Sequence, residues 1–256
     1  MKIGYCAKPK DIELIKELGY DYIELPLATL AEMSDEEFDA VVKDLEVNKL
    51  PCQACNLFLP KSQKITGANR NHPAALAYAE LALSRAEKVG AKYVVLGSSG
   101  SRNIPADYSP AEALGEFVEF CKACGPIAQR YGVTVVIEPL NSMESNMINT
   151  VAEGHNLVLR TAHPNIKVLA DYYHMLIEKE PLSSIAEAGG DLQHTHTANL
   201  LGRVIPQAAD EAVQKKFVDA LKGIGYSGGL SIEGKFVENQ KIEAANSLTL
   251  MRKLIK

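Results

Sequence analysis

Acidic and imidazole side chains recur where short apolar runs end. VVIEP carries Glu138, KVLAD carries Asp171 with His174 three residues on, QHTHT carries His194 and His196, and LSIEG carries Glu233. A carboxylate behind a hydrophobic run is costly to bury unless something offsets its charge, and a divalent cation does so. Three carboxylates with one imidazole form a mostly hard ligand set. Such a set favours Mn²⁺, with Mg²⁺ or Co²⁺ as substitutes, over a closed structural zinc. The competing reading, in which each acid caps the next helix or pairs with a lysine, suits one such residue far better than a series. Period two puts His194 and His196 on one face of their strand, so either can reach the metal.

Other polar groups fall near the same run ends. GSSGSRNIP is rich in small residues and carries Arg102, which is expected to touch an anionic or hydroxylated substrate; it lacks the lysine and spacing of a phosphate-binding loop. ACNLFLP brings Asn56 and Phe58 toward the same end, and Glu24 closes another run. Two CxxC pairs, Cys52/Cys55 and Cys121/Cys124, invite a zinc reading. The first lies in a strand, where an odd separation predicts opposite faces. The second lies in a helix, and the pairs are too far apart for a zinc ribbon, so buried thiols are expected instead.

The elements that must position these groups follow one grammar: a helical stretch ends at glycine and a short apolar strand begins. ELGYDYIELP, KVGAKYVVLG, RYGVTVVIEP and GIGYSGGLSIEG are four copies. Glycine can take the left-handed backbone that closes a helix, and runs apolar on both faces between helices read as parallel strands. Strands are predicted near 2–6, 21–25, 52–57, 93–97, 134–138, 167–171, 192–197 and 229–233. Helices are predicted over 11–18, 35–45, 73–89, 111–131, 150–160, 209–224 and 242–254. Alternating β and α without a linker predicts an α/β protein, a single (β/α)8 TIM barrel over residues 1–256, with its active site at the C-terminal ends of the strands. An open doubly wound sheet is the alternative.

Composition narrows the function classes. Across 256 residues, 46% are hydrophobic and 23% charged, enough apolar surface to build a large core. A net charge of −5 argues against a nucleic-acid partner, which demands a basic face. Neither a signal peptide nor a membrane-spanning run is apparent, and five cysteines suit a reducing compartment, so a cytoplasmic protein without a membrane partner is expected.

With these residues identified, the chain resembles the xylose isomerase-like sugar isomerase and epimerase superfamily, in its ketose 3-epimerase and hydroxypyruvate isomerase branch. IEPLNSMESN, ADYYHM, QHTHTANLLGR and SIEG carry the likeness. The resemblance implies a metal held by Glu138, Asp171, His196 and Glu233, with Glu138 and Glu233 doubling as catalytic acid and base. It further implies that Glu144, His174 and Arg203 bind substrate, although Arg203 follows His196 with one more intervening residue than the 3-epimerase pattern. It implies a small sugar or sugar-acid substrate, proton transfer through a metal-stabilised enediolate, and a homodimer. The chain is shorter than typical 3-epimerases and has no tryptophan for the pocket. Rival readings are a hydroxypyruvate isomerase-like or inosose dehydratase-like enzyme, a non-catalytic sugar-binding barrel, and, furthest from these residues, an abasic-site endonuclease.

Overall fold

A computed structural model describes residues 1–256. Helices stop where the sequence supplies the left-handed turn: Gly19 ends Ile12–Leu18 with φ +84°, and Gly90, Gly132 and Gly225 also have positive φ. Helix starts are capped as their sequences require. Ser34 and Glu37 form a reciprocal box at the head of Asp35–Asn48, and Asn71, Ser109, Thr150 and Asn239 each accept from a backbone N–H of the helix they precede.

Between these helices run β1 (Lys2–Cys6), β2 (Tyr22–Pro26), β3 (Cys52–Asn56), β4 (Tyr93–Leu96), β5 (Thr134–Ile137), β6 (Ile166–Asp171), β7 (Leu192–Thr197) and β8 (Gly229–Ile232). Every neighbouring pair is parallel, and β1 pairs with β8 to close the barrel in sequence order. The barrel rather than the open sheet is therefore correct. The seven predicted helices form, together with four short ones outside the prediction: Leu27–Glu32, Ser99–Arg102, Tyr172–Glu178 and Ser183–Ala188. No helix is long and apolar enough to cross a membrane.

Strand alternation sorts side chains into two environments. Val94, Leu96, Val135, Ile137, Val168 and Ala170 point outward into the core shared with the helices. Their neighbours Val95, Val136 and Leu169 form a separate small cluster inside the barrel, beside Tyr93. Two residues further along, each inward column of β5 to β8 carries a potential metal ligand, after an apolar residue in β5 and β6 and a buried polar one in β7 and β8. Val136 is followed by Glu138, Leu169 by Asp171, His194 by His196 and Ser231 by Glu233, so alternation alone carries these groups to the C-terminal mouth.

The cysteine expectation needs a correction. Cys52 and Cys55 do not face apart; their Sγ atoms lie 3.9 Å from each other in the core. The β2–β3 pairing jumps from Ile23–Cys52 to Glu24–Ala54, and this irregularity resets the alternation of β3. Cys121 and Cys124 are buried in Pro110–Arg130, and all five thiols are free.

Candidate metal centre and active site

Asp171 and His196 are paired across β6 and β7, while Glu138 and Glu233 stand one residue beyond β5 and β8. One ligand atom from each of the four lies within 4.8 Å of the others. His196 places Nδ1 3.2 Å from Glu138 Oε1 and 3.4 Å from Glu233 Oε2. Strand period alone left His194 and His196 equivalent, and only the family resemblance implied His196. Here His196 reaches the mouth and His194 lies one layer deeper, stacked on Tyr93 with ring centroids 5.5 Å apart.

Beneath the cluster, Glu24 is completely buried and accepts from Ser231 Oγ at 2.6 Å, His194 Nε2 at 2.8 Å and His196 Nε2 at 2.9 Å. Burial opposes charge on His196, but Glu24 and the other acidic groups around it outweigh burial and raise its pKa well above the ordinary imidazole value. Burial likewise opposes ionisation of Glu233, yet His196 and Arg203 hold its carboxyl down at about 2.

Arg203 spans the rim with its guanidinium fork. Nη2 is 2.7 Å from Glu233 and 3.5 Å from Asp171, while Nη1 is 3.3 Å from Glu144. Its φ of +52° lies in the left-handed region, and the guanidinium sits over the Tyr173 ring at 4.9 Å. Asn141 organises the other side. Its amide donates to Glu144 Oε1 at 3.0 Å, and its backbone N–H donates to His174 Nδ1 at 3.1 Å. Because Nδ1 must accept, a neutral His174 carries its proton on Nε2. That Nε2 is buried without a hydrogen-bond partner, 3.4 Å from Asp171.

A cavity of about 470 Å³ opens above these groups, lined by Glu138, Glu144, Arg203 and Glu233 with Cys6, Leu57 and the Gly97–Gly100 turn. Gly97 leaves open the space that the Glu138 carboxylate fills: a Cβ there would lie 2.1 Å from Glu138 Oε2.

Arg102 does not reach this cavity, contrary to the sequence expectation. It is fully buried, with its guanidinium over Phe117 and Nη2 donating to the Glu138 carbonyl at 2.8 Å. The segment after β4 coils into Ser99–Arg102 and turns the side chain inward. Sequence reasoning also missed Asn141, Gly97 and Ser231, and gave Glu24 no definite place. Only inward alternation in β2 and β8 could have signalled Glu24 and Ser231.

The donors fit a divalent cation. Glu138, Asp171 and Glu233, with Glu24 behind them, crowd four carboxylates around one guanidinium and two imidazoles. A cation at the cluster offsets that excess negative charge.

A family model described as xylose isomerase-like TIM barrel matches residues 12–254. The D-psicose 3-epimerase of Agrobacterium fabrum is 29% identical over 228 residues, 87% of this chain and 77% of that protein. The 3-dehydro-D-guloside 4-epimerase of Escherichia coli K12 is 26% identical over 199 residues, 72% of this chain and 71% of that protein. A crystal structure of D-psicose 3-epimerase in the presence of D-fructose superposes with a TM-score of 0.88 at 24% identity, covering 100% of this chain and 99% of that one.

Proposed function

The chain belongs to the xylose isomerase-like TIM barrel family, and we propose that within it this isomerase is a metal-dependent ketose 3-epimerase that uses Glu138 and Glu233 for proton transfer. The observation that carries the reading is the convergence of Glu138, Asp171, His196 and Glu233 at one mouth, in a chain whose relatives are named as sugar epimerases. Residues 1–256 act as one unit whose active site is formed at the C-terminal strand ends. Glu138, Asp171, His196 and Glu233 hold the metal, with Mn²⁺ the best match to a hard set containing one imidazole.

A hydrogen beside a ketone is weakly acidic, so its removal requires stabilisation of the enediolate that forms. A cation held by Glu138, Asp171, His196 and Glu233 would supply Lewis-acid charge for that stabilisation. One glutamate takes the carbon-bound proton, and the other returns a proton to the opposite face, inverting the hydroxyl-bearing carbon. His174 Nε2–H and the Arg203 fork donate to substrate oxygens, and Glu144 accepts from a hydroxyl. The cavity of about 470 Å³ suits a small sugar. We place the protein in the cytoplasm, as a homodimer.

The test is deuterium exchange. The metal-supplied protein is incubated in D₂O with a panel of free ketoses, hydroxypyruvate and sugar phosphates, the metal is chelated, and the sugars are read by NMR. Deuterium entering at carbon 3 of a ketose, and failing to enter when chelator precedes the incubation, is the expected result. Binding of a sugar with no exchange anywhere would overturn the enzymatic reading in favour of a binding protein.

A further inference from the structure

Glu24 is neither a metal ligand nor a catalytic group in that reading, yet it is the most completely enclosed carboxylate of the site. It lies on β2, across the barrel from β7 and β8, and its two oxygens are divided between partners. Oε2 accepts from Ser231 Oγ at 2.6 Å and faces His194 Nε2 at 2.8 Å, while Oε1 faces His196 Nε2 at 2.9 Å. Tyr22 sits behind Ser231, with their oxygens 2.8 Å apart, and so extends the network. All five side chains are buried, and they come from β2, β7 and β8.

We propose that Glu24 is a positioning residue for the metal centre, fixing His196 as the Nε2–H tautomer and turning its Nδ1 lone pair to the Glu138, Asp171 and Glu233 side. The proposal rests on the metal reading above. A carboxylate only accepts hydrogen bonds, so a neutral His196 beside Oε1 must carry its proton on Nε2. Nδ1 is then bare, and it is this atom that lies 3.2 Å from Glu138 and 3.4 Å from Glu233. A metal-ligating imidazole whose far nitrogen donates to a carboxylate has a fixed ring orientation and a more basic ligand atom. Ser231 and His194 occupy the second oxygen and keep the carboxylate from rotating away. The arrangement explains why β7 carries H-x-H: the outer imidazole serves the ion, and the inner one secures the carboxylate behind it.

Glutamine at position 24 keeps the shape and changes this logic. With its amide oxygen facing Ser231 and His194, its NH₂ group faces His196 Nε2, which must then accept and leave its proton on Nδ1, toward the ion. Glu24→Gln is therefore expected to weaken Mn²⁺ binding by about 10- to 100-fold in calorimetric titrations well below the melting temperature. In the Mg²⁺-loaded full chain, ¹⁵N NMR of His196 is expected to show protonated Nε2 in the wild type and a displaced pattern in the variant. A merely structural Glu24 would lower the melting temperature yet leave the folded variant with wild-type affinity and the wild-type ¹⁵N pattern, and that result overturns the proposal. Should Glu24→Gln not fold, Glu24→Asp keeps the charge but withdraws it by one methylene. Weakening of at least about 10-fold is expected there too, and unchanged affinity overturns the idea. Wild-type protein that takes up no Mn²⁺, or His196→Ala that takes it up undiminished, brings down the metal reading and this proposal together; normal uptake by the wild type and by Glu24→Gln brings down this proposal alone.

Discussion

Glu138 and Glu233 are held in unlike ways. Glu138 is buried against Gly97 with its carboxylate 3.2 Å from His196 Nδ1, whereas Glu233 accepts from Arg203 at 2.7 Å and from the Asn56 amide at 3.1 Å. Replacing either by glutamine preserves volume but removes a proposed base and a proposed metal ligand at once. Glu138→Gln and Glu233→Gln are each expected to slow deuterium exchange into the ketose by roughly 10²- to 10⁴-fold with unchanged circular dichroism. A variant that retains a tenth of wild-type exchange would remove that glutamate from proton transfer. Arg203 is a distinct case, because its value lies in the fork. One guanidinium meets Glu144, Asp171 and Glu233 together, which an ammonium on a flexible stem cannot reproduce. Steady-state kinetics of Arg203→Lys should show KM raised by about tenfold or more, a loss of about 1.4 kcal/mol in binding. An unchanged KM would mean that the fork serves the metal-free carboxylates rather than the substrate.

At the scale of elements, the site depends on how β4 and β5 lie against each other. Leu96 pairs with Ile137, and one residue on, Gly97 faces Glu138. Alanine at position 97 puts a methyl group where Glu138 Oε2 sits and drives the carboxylate from the cluster, while the backbone at that position needs no left-handed φ. Gly97→Ala should therefore fold nearly normally and lose metal affinity and exchange together, each by about tenfold or more, since a ligand displaced by 1 Å already costs activity heavily. Wild-type Mn²⁺ titration by Gly97→Ala would show that Glu138 has room elsewhere. The same elements explain what could be read beforehand. β4, β5 and β6 were legible because a strand covered on both faces is a continuous apolar run, and Glu138 and Asp171 stood out as the charges that ended those runs. Ser99–Arg102 was not legible, since four residues of serine, glycine and arginine carry no helical period, and so Arg102 was expected in the mouth rather than beneath it. Nor can a sequence show the slip in β2–β3 pairing that brings Cys52 to Cys55, because register belongs to the pair of strands. His196 was separable from His194 only through family likeness; in the fold, depth along the barrel axis separates them.

For the molecule as a whole, the proposed ligands join elements far apart in the chain. Glu138 and Glu233 are separated by almost a hundred residues, and β5 to β8 must all be in register before their donors meet. An unfolded chain holds no such site, so an ion taken up at the proposed centre would bind the folded state and stabilise it by mass action. At a free concentration about one hundred times its Kd the gain is about 2.7 kcal/mol. For a chain of this size each kcal/mol moves the midpoint by roughly 2–4 °C. Calorimetric scans in excess Mn²⁺ are therefore expected to melt roughly 5–10 °C above scans in chelator. Asp171→Asn should erase most of that difference, because it removes one carboxylate from the ligand set while its amide can still cap Tyr172–Glu178, as Asp171 does now through Tyr173 N–H at 2.9 Å. If wild-type protein melts at the same temperature with Mn²⁺ and with chelator, the four side chains are not a metal centre. The buried carboxylates must then be balanced by Arg203 and the imidazoles alone.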